Sequence, residues 1–169
     1  MPELTDFELS NAATGPDPFR LSEFAADPDR DAIGLLFQRD YHCPKCREQV
    51  QTVASRYDEF TARRADVVSI LPEPIERARQ WNEQYDLPFP LLADESKTTS
   101  DQYDQPVRFG AVGSLHDMVG RMPEAILIDA SGDRPTIEYV HRGTHPADRP
   151  TADDLLERVD ELATARVDG

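Results

Sequence analysis

The nine residues Arg39-Asp40-Tyr41-His42-Cys43-Pro44-Lys45-Cys46-Arg47 constrain this chain more than any other stretch. They hold both of its cysteines, spaced Cys-x-x-Cys. An apolar run, Ala32-Ile33-Gly34-Leu35-Leu36-Phe37, precedes them and predicts a buried strand. A long amphipathic stretch follows and predicts a helix over 44–64. Cys-x-x-Cys at the point where a buried strand turns into a helix is the arrangement of a thiol–disulfide redox site.

The chemistry follows from the placement. Cys43 falls at the expected N-cap and Pro44 at the first helical position, where a missing N–H costs nothing. A helix N-terminus offers free N–H groups and partial positive charge, and both favour a thiolate. Arg39, Lys45 and Arg47 add positive charge locally. Cys46 begins the series Cys46, Val50, Val53, Tyr57, Phe60, which is one helix face. Cys46 is therefore expected on the core side, and Cys43 at the exposed end of the strand. That pairs an accessible attacking sulfur with a more buried partner one turn away.

Two other readings are weaker. Two purely structural cysteines in a Cys-Pro-Lys-Cys turn at a strand–helix junction would be a coincidence. A zinc site could recruit His141 and His145, but these lie far beyond zinc-finger spacing from Cys46. They also fall on a strand and its following loop, where four-residue spacing does not define one face. No metal and no cofactor is expected. His42 reads as a surface residue, and Tyr41 and Trp81 as packing residues.

A chain of 169 residues is expected to form a single domain, 1–169, with residues 1–30 as an N-terminal extension packed on it. The net charge is −15, carried by twenty Asp and thirteen Glu against sixteen Arg and only two Lys. Such an acidic, lysine-poor surface resembles proteins of salt-loving archaea. In molar salt the Debye length is roughly 3 Å, so self-repulsion is screened. The same charge argues against nucleic acid and anionic membranes as partners. Met1-Pro2-Glu3-Leu4-Thr5-Asp6 has neither a basic region nor an apolar segment, which reads as a cytoplasmic protein without a signal peptide.

Along the chain, Phe7 and Leu9 suggest a short strand, and Phe19, Leu21 and Phe24 suggest anchors for the extension. Asp66–Leu71 predicts a second main strand, parallel to the first. A helix is expected over 74–85, with Ile75, Ala78 and Tyr85 or Trp81 inward. Phe89–Ala93 reads as a short strand. Glu95–Tyr103 suggests a helix, and Gly110–Gly113 a mobile connection. Ala125–Ile128 and Thr136–Val140 predict an antiparallel pair. Thr151 is the expected cap of a last helix whose apolar face is Leu155, Leu156, Val159 and Leu162. A β-α-β half followed by a β-β-α half, with an insert between them, is an α/β layout. It is that of a thioredoxin-like fold, a central mixed sheet flanked by helices.

These residues also carry a family resemblance. Leu36-Phe37 and Arg39 before Cys43-Pro44-Lys45-Cys46-Arg47 are one part of it; Phe89-Pro90-Leu91-Leu92-Ala93-Asp94 is another. Pro123 to Asp129, Val140-His141-Arg142-Gly143 and Asp148-Arg149-Pro150 complete it. Together they resemble the alkyl hydroperoxide reductase/thiol-specific antioxidant group of the thioredoxin superfamily, in its peroxiredoxin-like Cys-x-x-Cys branch.

The resemblance implies hydroperoxide reduction by Cys43, with Cys46 as the resolving cysteine and a thioredoxin-like reductant, in a monomer or homodimer. It also implies a lined approach from Pro123, Met122, Pro44 and Lys45, with Arg39 and Arg121 as candidates to stabilise the thiolate. Pro123 resembles the cis-proline that faces the cysteines in thioredoxins. The chain departs from the group's pattern at Leu36 and Asp40, where a Pro and a Thr are usual, and at Pro123, where an Arg is usual. Those departures keep two alternatives open: a protein disulfide oxidoreductase, and a non-catalytic redox sensor or interaction module.

Overall fold

The structure is a computed structural model, and it describes residues 2–107 and 121–168. In chain order the elements are β1 (Glu8–Asn11), β2 (Phe19–Arg20), α1 (Leu21–Ala25), β3 (Ala32–Phe37), α2 (Pro44–Ser55), α3 (Tyr57–Ala62) and β4 (Ala65–Leu71). They continue with α4 (Ile75–Tyr85), β5 (Leu91–Ala93), α5 (Thr98–Gln102), β6 (Glu124–Asp129), β7 (Thr136–Arg142) and α6 (Ala152–Asp168). The expected Gly110–Gly113 connection lies outside the described residues.

One mixed sheet organises them in the order β2-β1-β5-β4-β3-β6-β7. β3 and β4 run parallel, as the strand–helix–strand pattern requires, and β4 pairs parallel with β5. β6 pairs antiparallel with β3 and with β7. The extension adds β1 and β2 antiparallel beyond β5. β3 is therefore central, and all six of its residues are buried.

Alternation along the strands splits the core between the two faces of the sheet. Leu36, Ala125 and Leu127 face Cys46, Val50, Val53, Tyr57, Phe60, Trp81, Leu155 and Val159. Leu35, Phe37, Ile126 and Ile128 face Phe7, Phe19, Leu21, Phe24 and Tyr103. Phe19, Leu21 and Phe24 thus anchor the extension as expected. Fully burying a side chain of this size stabilises by about 1.5–3 kcal/mol.

The expected helix over 44–64 is two helices. Arg56 leaves helical geometry, with φ −116 and ψ 17. Its guanidinium reaches Glu59 at 2.6 Å and Asp153, in the first turn of α6, at 2.6 Å. The break re-aims α3, so that the Tyr57 hydroxyl donates to Asp66 and accepts from the Val67 N–H. In α4 the buried aromatic is Trp81, while Tyr85 is half-buried; the Trp81 indole N–H donates to the Tyr41 carbonyl at 2.9 Å. Thr151 caps α6 reciprocally: the Asp154 N–H donates to its hydroxyl, and its own N–H donates to the Asp154 carboxylate.

Candidate active site

β3 delivers the chain to the edge of the sheet, and Gln38 and Arg39 carry it into the turn that ends at Cys43. Tyr41 pins this turn. Its ring meets the guanidinium groups of Arg47 and Arg77, at 4.7 and 4.4 Å from the ring centre, and its carbonyl accepts from Arg47 Nε. Asp40 Oδ1 accepts the His42 N–H at 2.8 Å, and the His42 side chain stays on the surface.

Cys43 is the N-cap of α2 and Pro44 its first residue. Cys43 Sγ accepts the Cys46 N–H at 3.2 Å. A sulfur thus takes the place of the oxygen that usually satisfies this N–H. Cys46 Sγ accepts the Arg39 N–H at 3.3 Å. Both thiols are free. Cys46 is buried as expected, but Cys43 is not the exposed sulfur that the strand–helix junction predicted: its exposure is 2% against 0% for Cys46. The cover comes from far away in the chain.

That cover includes Arg149, which the sequence reading did not assign to the site. Arg149 Nη2 lies 3.3 Å from Cys46 Sγ and 4.0 Å from Cys43 Sγ. Nη1 donates to Gln38 Oε1 and Gln49 Oε1, both at 3.0 Å, and Nε donates to the Pro146 carbonyl at 2.9 Å. The Gln38 amide is itself held, donating to Gln49 Oε1 and Ser69 Oγ, each at 3.1 Å. All the oxygens around this guanidinium are neutral. Among the described residues no carboxylate pairs with it, so the cation is left to the sulfurs. The signal that could have found it was the Asp148-Arg149-Pro150 match, but nothing local says where that guanidinium points.

The consequence for the thiols is a split. Cys43 is pulled down to about 6, first by the hydrogen bond from the Cys46 thiol. Burial works against this, while the Cys46 N–H, the Arg149 charge and the Arg39 side chain add to it. Cys46 is pushed well up, first by burial and then by its neighbour Cys43.

The other expected site residues scatter. Arg39 is at the site, and its Nε donates to the Arg121 carbonyl at 2.7 Å. Arg121 contributes that carbonyl rather than its charge: its guanidinium turns to Gln105 Oε1 at 3.2 Å and Asp101 at 2.8 Å. Lys45 is exposed and pairs with Glu48 at 3.3 Å, so its charge is spent locally. Pro44 is exposed as well. Met122 is buried; its N–H donates to the Pro106 carbonyl, and its own carbonyl accepts from Gln105 Nε2.

Pro123 is trans, against the expectation of a cis bond; the cis bond among the described residues is Asp17–Pro18. The trans form keeps the backbone extended into β6, where the Pro123 carbonyl accepts the Gly143 N–H at 2.7 Å and continues the β6–β7 pairing. A zinc role for His141 also meets a different partner, because its Nε2 lies 2.9 Å from Asp148 Oδ1.

Beside Arg149 a cavity of about 200 Å³ opens between α2 and the loop before α6. Gln49, Thr52, Val53, Ala147, Pro150 and Ala152 are among its lining residues. Arg149 stands between this cavity and the two sulfurs.

A mixed sheet with a pair of free cysteines at the first turn of the helix after its central strand defines a thioredoxin-like fold. The comparisons place it more closely. The AhpC/TSA family model matches residues 2–133, and the chain belongs to that family. It is 23% identical over 123 residues to the chloroplastic peroxiredoxin Q of rice (Oryza sativa subsp. japonica), covering 72% of this chain. The chain spans about half the length of that relative, 49%. Among solved structures it resembles peroxidoxin BcpB of Mycobacterium tuberculosis, with a TM-score of 0.74, 24% identity and 95% of each chain covered. It also resembles the reduced 2-Cys peroxiredoxin of Plasmodium vivax, with a TM-score of 0.77, 14% identity, and 97% and 96% covered. At these identities the structural likenesses show the fold alone.

Proposed function

We propose that the protein is a thiol peroxidase that reduces hydroperoxides through Cys43 and resolves through Cys46. The observation that carries this reading is the placement of the Arg149 guanidinium, free of carboxylates among the described residues, against both sulfurs. The Cys43 thiolate attacks one peroxide oxygen, the O–O bond breaks, and the leaving alkoxide or hydroxide takes a proton from solvent to depart as alcohol or water. Cys43 becomes a sulfenic acid. The Cys46 sulfur then displaces its hydroxyl as water and forms the disulfide. An external dithiol, in this reading a thioredoxin-like protein, returns two electrons and restores both thiols.

Each group has a role in this scheme. The Cys46 N–H and thiol hold Cys43 as a thiolate. Arg149 and Arg39 supply charge and N–H donors to the peroxide oxygens as negative charge develops, in place of the Thr that the family pattern has where Asp40 stands. The Arg121 carbonyl and Gln105 fix Arg39 and the Met122–Pro123 segment. Pro44 starts the helix, and Lys45 lies on the rim. Burial of Cys43 favours a small oxidant over a protein disulfide, which needs an exposed sulfur. The disulfide forms within one chain, so a monomer or a homodimer serves equally. Residues 1–169 act as one domain, because the extension contributes strands to the same sheet.

The test is peroxide consumption by pre-reduced protein in molar KCl, with the disulfide read by mass. One equivalent consumed quickly, with Cys43–Cys46 formed and turnover restored by a dithiol, is expected. Intact thiols after excess peroxide would remove the reading. The acidic, lysine-poor composition fits a cytoplasm at molar salt, so the melting temperature is expected to rise from dilute buffer to molar KCl. No rise would remove the salt-adapted setting and leave the chemistry untouched.

A further inference from the structure

Arg149 reaches the sulfurs only because a short loop presents it, and one carboxylate shapes that loop. Residues 143–151 join β7 to α6. Asp148 Oδ2 accepts the Thr144 N–H at 2.8 Å and the Thr144 hydroxyl at 3.0 Å. Its Oδ1 lies 2.9 Å from His141 Nε2. The Asp148 side chain therefore ties the end of β7 to both ends of the loop. Where the loop begins, Gly143 is pressed against Pro123 and Asp148: a Cβ there would stand 2.5 Å from the Asp148 carbonyl oxygen and 2.7 Å from Pro123 Cγ. Arg149 Nε closes the last turn on the Pro146 carbonyl.

The direction of the Asp148 carboxylate matters as much as its bonds. The nearest acid in sequence would ordinarily neutralise Arg149. Asp148 instead commits both oxygens to Thr144 and His141, on the other side of the loop. The Thr144 N–H, the His141 ring and the Thr144 hydroxyl hold its pKa down to about 2. It stays ionised through the working range while Arg149 stays unneutralised by any described carboxylate.

We propose that Asp148 is a positioning residue, whose carboxylate ties Thr144 and His141 into the loop that holds the Arg149 guanidinium against Cys43 and Cys46. This rests on the reading of Cys43 as the reactive thiol. The charged and titratable groups facing the sulfurs are Arg149 from the loop, Arg39 from the turn after β3 and the cysteines of α2 themselves; Asp40 lies 3.9 Å from Arg39. Those around Asp148 are His141 and Tyr139 on β7, and Tyr139 in turn faces Asp154 and Arg158 from α6.

The experiment measures alkylation of pre-reduced protein by iodoacetamide from pH 5 to 9, with the modified residue mapped by mass and the melting temperature taken alongside. In Asp148→Ala and Asp148→Asn the Cys43 profile is expected to shift up by about one pH unit or more. The rate at pH 6 then falls roughly five- to tenfold, while the rate at pH 9 is unchanged. Thr144→Val and His141→Phe, which each remove one of the bonds, shift the profile the same way by less. If the Asp148 variants fail to fold, these two carry the test. Folded variants that melt earlier but keep the wild-type profile would overturn the proposal, leaving Asp148 a purely structural residue. A wild-type profile centred near the ordinary thiol value of about 8.5 would instead remove the reading of Cys43 itself, a separate and distinguishable result.

Discussion

Two arginines lie at opposite ends of β3, and their surroundings differ in one respect. Arg30, just before the strand, donates to Asp66 at 2.5 Å, to Asp27 at 2.8 Å and to the Phe24 carbonyl at 3.2 Å, with its guanidinium 3.6 Å from the centre of the Phe24 ring. The Tyr57 hydroxyl donates to the same Asp66 carboxylate, and burial with that carboxylate pushes the pKa of Tyr57 far above its usual value. Charge is closed on itself there. Arg149, beyond the other end of the strand, meets only amide oxygens, a carbonyl and two sulfurs. Both side chains are largely covered, so burial does not tell them apart. Their partners do: a cation facing neutral acceptors still has field to give to a thiolate or a peroxide, and a cation between two carboxylates has none.

Exchanging each arginine for methionine separates the two ends, and the larger effect belongs to the sulfur end. Arg149→Met is expected to lower the second-order rate with peroxide by about 10²-fold or more at neutral pH, since it removes both thiolate charge and donors to the developing oxyanion. Unfolding by urea should change less than for Arg30→Met, because the Cys43 thiolate can take up a proton and the other partners that lose a donor are neutral. Arg30→Met should do the reverse. It strands the largely covered Asp66 carboxylate and is expected to cost about 2 kcal/mol, below the usual figure for a fully buried pair because both side chains keep about a fifth of their surface (23% and 21%). Its peroxide rate per folded molecule should match wild type. Equal rates for Arg149→Met and wild type would erase the distinction between the two ends.

The same contrast marks what the sequence made legible. The strand, the cap and the inward helix face are local patterns, and Cys46, Val50, Val53, Tyr57 and Phe60 lie buried as their spacing demands. Arg39 was within reach because it stands four residues before Cys43. Arg149 is 103 residues from Cys46, and no spacing rule spans that distance. The burial of Cys43 was missed for the same reason, since part of its cover arrives with the Arg149 loop. Lys45 looked like a nearby charge until Glu48, one turn along, took it. The pairing of Pro123 with Gly143 joins residues far apart in the chain, and neither residue announces it.

The smallest expected effect tests the sulfur end through stability. Cys43 titrates at about 6 in the folded protein, and a thiol in the unfolded chain at about 8.5. Between those values the unfolded chain holds a proton that the folded one has released, so stability rises with pH across that window. The contribution is full above about 8.5 and is lost as pH falls through 6. Cys46, pushed up by burial, opposes it above 8.5, where the unfolded chain loses a proton that the folded one keeps. Glu124 overlaps: burial raises it to about 7, and only its Oε1 has a partner, Arg142 at 3.2 Å. Its contribution is present below about 4.5 and is lost as pH rises through 7. Subtracting Cys43→Ser from reduced wild type cancels Glu124 and leaves the thiol. That difference in unfolding free energy should grow by about 1–2 kcal/mol from pH 6 to about 7.5, and this growth should disappear once the disulfide has formed. A flat difference would mean that Cys43 titrates as an ordinary thiol, and the Arg149 end of β3 would then be as electrically closed as the Arg30 end.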